Sequence, residues 1–144
     1  EADTATQQKT SEAKSTQGSL GMPSPVSQKE LFAARREVLA VHMAENIEKY
    51  LLEIVISTRN PKPYGNDLVQ WIEYGPSPRA SITLDRCARA QAWLDGRDYV
   101  EPDDIQRMAY DVLRHRVLLT YEAEAEGVSA DRFIQELLNR IAVP

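Results

Sequence analysis

The sequence predicts an all-α fold, a helical bundle of about five helices that is preceded by a disordered N-terminal tail. Apolar residues recur at intervals of three and four through most of residues 27–144, and no segment shows the sustained alternation typical of a strand. Residues 1–26 contain no aromatic residue and are rich in Thr, Ser, Gln, Ala, Lys and Gly. Such a segment cannot bury enough apolar surface to offset the entropy of ordering. We therefore predict a disordered tail or linker over 1–26 and one helical domain over 27–144.

The first two helices are marked by their ends. Ser27 and Glu30 form the sequence pattern of a capping box, which predicts a helix start. The apolar stripe of this first helix is Leu31, Val38 and Leu39. The second helix is predicted over residues 45–59, and Asn60-Pro61 ends it. Its apolar face consists of Ile47, Leu51, Ile54 and Val55.

Three further helices follow. The third begins at Ser77-Pro78, because serine is a good N-cap and proline suits the first helical position, and it stops at Asp95-Gly96. Its inward face is Ala80, Leu84, Cys87, Ala88 and Leu94. The fourth opens at Pro102, with an inward face of Ile105, Met108, Ala109, Val112 and Leu113. The last begins after Ser129, with an inward face of Phe133, Ile134, Leu137, Leu138 and Ile141.

One connection, residues 60–76, is unusually long for a bundle, where loops typically have about 2–8 residues. It also carries three aromatic side chains, Tyr64, Trp71 and Tyr74. Two interpretations remain open. The connection is either a structured plug that caps the bundle or a surface that faces a partner or a nucleotide.

Composition excludes several classes of function. The formal net charge of −5 argues against nucleic-acid binding, which needs a basic stripe, and no apolar run is long enough to span a membrane. A single cysteine, Cys87, excludes an internal disulfide framework and fits a reducing cytoplasm. With two histidines beside that one cysteine, we expect no metal site. Cys87 itself is interpreted as a buried structural thiol rather than a nucleophile.

A complete nucleotide-binding site is also missing. A P-loop needs a glycine followed by lysine and a hydroxyl residue, so that backbone amides and the ammonium group can hold the phosphates. None of the six glycines in the chain is followed by lysine. We therefore expect the isolated chain to bind no ATP and to hydrolyse none.

Arg79 lies in an unusual place, the first turn of the third predicted helix. A cation there opposes the helix dipole by about 0.3–1 kcal/mol. The residues three and four positions later are Ile82 and Thr83, so no carboxylate on the same helix face compensates. Arg79 either points towards an anion or is a solvated side chain, paired at most with Glu73.

The segment Gly75-Pro76-Ser77-Pro78-Arg79-Ala80 resembles the sensor 2 motif (G-x-S-P-R-A) of the MoxR-type AAA+ ATPases. Segments on both sides resemble the same family in the same order. They are Thr58-Arg59-Asn60-Pro61, Tyr64-Gly65, Trp71-Ile72, Tyr74-Gly75, residues 96–100, Pro102-Asp103-Asp104, residues 111–116 and residues 121–127. Together they cover roughly residues 26–144. Glu101 departs from the family, which usually has a helix-capping Thr or Ser there.

The resemblance implies a specific role. In AAA+ proteins a helical lid follows an α/β nucleotide-binding core, and the sensor 2 arginine reaches the terminal phosphate of ATP. Arg79 would be that catalytic and nucleotide-binding residue, with Ser77 and Pro78 beside it, and the parent would use ATP and Mg²⁺. The family forms homo-oligomeric rings, usually hexamers. Its members are bacterial or archaeal chaperones for protein clients, often von Willebrand A domain proteins. The alternative is a stand-alone helical adaptor that only binds proteins.

Overall fold

The computed structural model describes residues 24–144, so the predicted tail lies almost wholly outside the described residues and stays a prediction. The elements in chain order are α1 (Gln28–Ala40), α2 (Glu45–Arg59), a 3-10 helix (Lys62–Tyr64), α3 (Asn66–Trp71), β1 (Ile72–Tyr74), α4 (Arg79–Leu94), α5 (Pro102–Leu113), β2 (Leu118–Leu119), α6 (Tyr121–Ala125) and α7 (Ala130–Arg140). No helix among these is long and apolar enough to cross a bilayer.

The predicted all-α class is confirmed, and the five predicted helices are α1, α2, α4, α5 and α7. The count was too low, because residues 24–144 form seven α-helices. The two additional helices, α3 and α6, have six and five residues, too few for a helical period to be read from the sequence. A two-stranded antiparallel sheet was also missed for the same reason, since β1 and β2 have only three and two residues.

The core lies between α2, α4, α5 and α7. Most of the side chains predicted to face this core are buried, with Ile54, Leu84 and Ile105 fully inaccessible and Leu137 and Val112 only 1% and 4% exposed. Alanines permit the close contact between α4 and α5, because Ala88, Ala92 and Ala109 are also fully buried. The 3.6-residue period of the sequence thus identified the faces of these four helices.

The predicted helix ends are largely confirmed by hydrogen bonds. The Glu30 amide donates to Ser27 Oγ at 3.2 Å, and the Ser27 amide donates to the Glu30 carboxylate at 2.8 Å, which completes the capping box. Gly96 follows α4 with φ +77°, and the Arg97 amide donates to the Ala92 carbonyl oxygen at 2.9 Å. This left-handed residue at the helix end is the geometry that glycine favours.

The outer end of the bundle differs from the prediction. Leu94, expected on the inward face of α4, is 70% exposed and lies on the side of α4 next to α1, whereas Ala92 in the same turn is fully buried. The stripe of α1 is also exposed at Leu31 and Leu39, and α1 has no buried residue, since it packs chiefly along α4. Cys87 was interpreted as a buried structural thiol. In the structure it packs against the core but is only half-buried.

The turn into α5 is held by a buried ion pair. Asp104 is 1% exposed, and both of its carboxylate oxygens accept hydrogen bonds from Arg97, at 2.8 and 2.6 Å. Burial alone would raise the pKa of the Asp104 carboxyl, but the bonds from Arg97 and from the Glu101 amide hold that pKa below its usual value. Asp104 thereby accepts a hydrogen bond from the Glu101 backbone amide at the helix start. The start of α5 is held in this way although residue 101 is a glutamate rather than a capping Ser or Thr.

The long connection 60–76 folds onto the bundle as a plug. Leu68 is fully buried, and Arg140 of α7 donates to both carboxylate oxygens of Asp67, at 2.7 and 2.6 Å. Arg140 also donates to the Tyr64 carbonyl oxygen at 2.9 Å. Between them Gly65 has φ +143°, and a side chain there would collide with the Arg140 guanidinium and the Asp67 carboxylate.

Asp67→Asn is expected to lower the free energy of unfolding by about 1 kcal/mol at pH 7, the upper end for a partly exposed pair. The hydrogen bonds from Arg140 lower the pKa of Asp67 to about 2, so its stabilisation is present above the unfolded pKa, about 4, and is lost as the pH falls towards 2. Urea unfolding at pH 7 and at pH 2.5 checks this. The prediction would be contradicted if the free energies of unfolding of the unaltered protein and of Asp67→Asn differed by the same amount at both pH values.

Candidate functional site

The segment before α4 is fixed in place by a close backbone contact. A Cβ atom at Gly75 would lie 2.7 Å from the Thr58 carbonyl oxygen and 2.8 Å from Arg59 Cγ, so only glycine can pack here against the end of α2. Pro76, the next residue, is fully buried. Two residues of the motif therefore anchor the chain, and the three that follow project from a rigid base.

Ser77, Pro78 and Arg79 are all exposed, whereas Ala80 is 1% exposed and faces the core. The predicted N-cap at Ser77 was wrong by one residue, because Pro78 occupies the cap position in helical conformation (φ −55°, ψ −21°). Ser77 contributes its carbonyl oxygen, which accepts from the Ala80 amide at 2.9 Å, and its side chain makes no capping bond. A tight i to i+3 turn thus brings Arg79 to the first position of α4.

The guanidinium of Arg79 is accessible, as expected. Within residues 24–144 it makes no ion pair and no hydrogen bond, so the alternative pairing with Glu73 is not formed. A cleft of about 340 Å³ lies further along α4, against α2; it is lined by Glu48 and by Asp85, and the cation beside them, Arg89, is already paired with Asp85 at 2.9 Å. These carboxylates would repel a phosphate. Arg79 is thus an exposed cation at the start of α4 that is free to contact an anion.

The described residues fit only part of a nucleotide site. The planar fork of an exposed arginine can donate two parallel hydrogen bonds to phosphate oxygens, so Arg79 suits one contact to a nucleotide phosphate. Residues 24–144 contain no group of three or more His, Cys, Asp or Glu side chains arranged for a metal ion. A magnesium ion and the remaining phosphates would need ligands from elsewhere.

The cations after α5 form a helix end rather than a second anion site. Arg114 lies 3.3 Å from Asp111 and 3.2 Å from Asp131, and His115 is exposed. Arg116 has one buried guanidinium nitrogen, Nη1, without an acceptor in the part of the chain that the structure describes. Arg114 and His115 therefore agree with a solvated helix end that the dipole favours, whereas Arg116 is partly buried.

Sequence reasoning missed the contact that positions the motif. Arg59 ends α2, is exposed, and its side-chain stem lies against Gly75. The two residues are 16 positions apart, so no local pattern pairs them. The sequence signal that could have found this contact is Gly75 itself. Its backbone does not need a positive φ, so the glycine indicates close packing instead.

Comparison with known protein families finds a match over the part of the chain that contains the candidate site. Residues 70–137 match the AAA lid domain family, and this range contains Arg79 and the elements from α4 to most of α7. Among curated relatives, the chaperone MoxR1 of Mycobacterium tuberculosis is 43% identical over 96 residues, which cover 66% of this chain and 26% of MoxR1. The protein YeaC of Bacillus subtilis is 40% identical over 121 residues, which cover 83% of this chain and 35% of YeaC.

A solved structure shows the same fold. The crystal structure of a candidate ATPase from Cytophaga hutchinsonii superposes with a TM-score of 0.79 at 43% sequence identity, and the match covers 83% of this chain and 36% of that one. The chain thus spans between 26% and 36% of the length of these three relatives. Its helices, its motif segment and its relatives agree, and the chain belongs to the AAA lid domains of the MoxR-type AAA+ ATPases.

Proposed function

We propose that this chain is the lid of an ATP-hydrolysing protein and that Arg79 is its sensor 2 arginine. The single observation that carries the proposal is an exposed guanidinium, without an ionic partner among the described residues, on a base that is fixed by Gly75 and Pro76. A cation in the first turn of a helix is locally unfavourable. A phosphate held in front of that turn would attract the guanidinium and make this position of the arginine favourable.

Arg79 would stabilise negative charge on the terminal phosphate of ATP through charge-assisted hydrogen bonds. Ser77 and Pro78 would set the direction from which the guanidinium approaches, since they form the tight turn that leads into α4. The bound nucleotide and its Mg²⁺ would supply the scissile phosphoanhydride and a Lewis acid. The lid contributes the arginine and a rigid helical body.

The parent would be a cytoplasmic chaperone that couples ATP hydrolysis to the remodelling of protein clients. The support is the relationship to MoxR1, which is named a chaperone, and the length of the relatives, since the matched parts are 26% of MoxR1 and 35% of YeaC. Assembly into a homo-oligomeric ring, a hexamer in most of the family, and clients with von Willebrand A domains belong to the same proposal. The stand-alone adaptor has weaker support, because the relatives that match this chain include a chaperone of the MoxR type and an ATPase, both much longer than the matched part.

Arg79→Ala in the full-length parent is expected to lower ATP turnover by at least about tenfold, which equals roughly 1.4 kcal/mol of transition-state stabilisation. In the isolated chain the same change should alter the free energy of unfolding by less than about 1 kcal/mol, because the side chain is exposed. Arg79→Lys should restore turnover poorly, since lysine keeps the charge but loses the planar fork. Steady-state ATPase assays and thermal melts of the same variants check both parts.

Arg132→Ala is the matched control, because Arg132 is also exposed and also lacks a carboxylate partner among the described residues, but lies on α7. Its turnover in the parent should stay within about twofold of the unaltered protein, as expected for a surface side chain. An Arg79→Ala parent that hydrolyses ATP at the normal rate would make the arginine a surface residue and end the sensor assignment.

A further inference from the structure

A second arginine lies beside the motif segment and has no role in the sensor proposal. Arg59, the last residue of α2, is exposed, and within residues 24–144 it makes no ion pair. A cation suits this end of a helix, because the carboxyl end of the helix dipole is negative. The dipole explains why an arginine stands at this position, but it does not explain why the side chain packs on the segment that presents Arg79.

The contact between Arg59 and Gly75 brings the end of α2 to the start of the motif segment. A Cβ atom at Gly75 would lie 2.9 Å from Arg59 Cα and 2.8 Å from Arg59 Cγ, so the glycine lets the stem of the arginine lie directly against the backbone of the segment. Four residues later, after the tight turn at Ser77, the chain reaches Arg79 at the start of α4. The two arginines therefore lie at the same end of the α2–α4 helix pair.

Helix spacing places both arginines on the same open side of this helix pair. Helices α2 and α4 pack against each other, and Leu52 of α2 and Ile82 of α4 line the cleft between them. Ile56 follows Leu52 by one turn and Arg59 follows Ile56 by three positions, so these three lie along one side of α2. Arg79 precedes Ile82 by three positions on α4 in the same way. This side is open, since Leu52, Ile56 and Ile82 are 40%, 57% and 55% exposed.

Two cations on one open surface, without carboxylate partners among the described residues, favour an anion that both can reach. Arg59 and Arg79 repel each other, and neither charge is neutralised within residues 24–144. A group with several negative oxygens can accept charge-assisted hydrogen bonds from both guanidiniums at once. The terminal phosphate of a nucleoside triphosphate is such a group.

We propose that Arg59 is a second phosphate-binding residue of the nucleotide site and that it contacts the terminal phosphate of ATP together with Arg79. The inference rests on the proposed function, because it requires a nucleotide held in front of α4. Arg59 reaches the phosphate from the end of α2, and Arg79 reaches it from the start of α4. The packing of Arg59 on Gly75 fixes the positions of the two arginines relative to each other. ADP, which lacks the terminal phosphate, loses the contact with Arg59.

Arg59→Met tests this in the full-length parent, because methionine keeps an unbranched stem against Gly75 and removes the guanidinium. Calorimetry with a non-hydrolysable ATP analogue should show a Kd raised by about tenfold or more, the usual effect of losing a hydrogen bond between charged groups. The Kd of ADP should rise by less than about threefold, because the terminal phosphate is missing. Arg132→Met on α7 is the matched control, an exposed arginine for which both constants should stay within about twofold.

Two further variants separate the charge of Arg59 from its packing. Arg59→Lys keeps both the stem and the charge, so it should retain most of the affinity for the ATP analogue. Arg59→Ala removes both. If Arg59→Ala binds the analogue poorly while Arg59→Met binds it normally, the side chain acts only by packing on Gly75, and the phosphate contact is overturned. Equal weakening of the ATP analogue and of ADP by Arg59→Met would also overturn it, because the contact would then lie away from the terminal phosphate.

Turnover of the Arg79→Ala parent is measured separately, so the two roles can fail independently. Normal binding by Arg59→Met together with slow turnover of Arg79→Ala would remove Arg59 from the site and leave the sensor role of Arg79 standing. Weakened binding of the ATP analogue by Arg59→Met together with normal turnover of Arg79→Ala would refute the sensor role and leave Arg59 as the phosphate-binding arginine of the lid.

Discussion

Arg97→Ala is expected to lower the free energy of unfolding by about 2–3 kcal/mol at pH 7, less than for a fully buried ion pair, since the Arg97 side chain is 21% exposed and water can partly replace it. The reason is the carboxylate that stays behind. Asp104 is 1% exposed, and Arg97 supplies two of its hydrogen bonds, leaving only the bond from the Glu101 amide after the change. Urea unfolding of the isolated chain measures the difference.

The loss should depend on pH in a defined direction. In the unaltered protein the folded pKa of Asp104 is depressed, so the pair stabilises the fold above the unfolded pKa of about 3.9 and ceases to do so as the pH falls through the lower folded pKa. In the variant, burial without Arg97 raises the pKa of Asp104, and protonation relieves the unpaired charge. The two stabilities should therefore converge as the pH falls below about 4.

Arg107→Ala is the matched control for this pair. Arg107 is 63% exposed and lies 3.9 Å from Asp95, so its removal should change the free energy of unfolding by less than about 0.5 kcal/mol. Equal losses in the Arg97 and Arg107 variants, or a loss for Arg97→Ala that persists unchanged at pH 3, would mean that the buried pair does not hold the turn into α5.

Leu84→Ala is expected to cost about 2–5 kcal/mol, the range for deleting a buried leucine side chain and leaving a cavity. Leu84 is fully buried in α4, the helix that packs most closely against α5. Ile82→Ala on the same helix is the control, because Ile82 is 55% exposed and its removal leaves no enclosed space. Thermal and urea unfolding of both variants provides the comparison.

A loss below about half a kcal/mol for Leu84→Ala, in the range of ordinary surface substitutions, would show that the core can collapse around the missing side chain. If Ile82→Ala cost as much stability as Leu84→Ala, the side of α4 that bears Ile82 would also pack against the core, and the assigned apolar face of α4 would be wrong.

Most of the fold could be predicted from the sequence, because four of the helices have wide apolar faces and clear ends. The second helix was predicted over 45–59 and α2 spans those residues, while Ser27 and Ser129 cap α1 and α7 as expected. The failures lie where local rules lose force. Leu94 has the right spacing for the core, but burial depends on whether another element reaches that turn, which spacing does not encode.

Only part of the candidate site could be predicted, because the sequence shows local features of the motif but not its distant contacts. Arg79 was singled out because its position conflicts with the helix dipole and because its motif resembles sensor 2; the structure leaves its side chain exposed, and its role stays a prediction. The packing of Gly75 on Thr58 and Arg59 could not be found, since it joins residues that are distant in the chain. The exposure of Leu31 and Leu39 on α1 could not be predicted either, since spacing marks an apolar stripe but does not say whether another element covers it.

The position of α7 in the packing has a consequence for how the domain folds. This helix is the last in the described chain, yet it packs against α2, α3 and α5, and Arg140 near its end fastens the plug at Tyr64 and Asp67. Contacts that span such long stretches of sequence form late, because the intervening loop must close first. The parts of α2 and α5 that α7 covers therefore stay exposed until the last helix docks, whereas the contact of α4 with α5 can form without it.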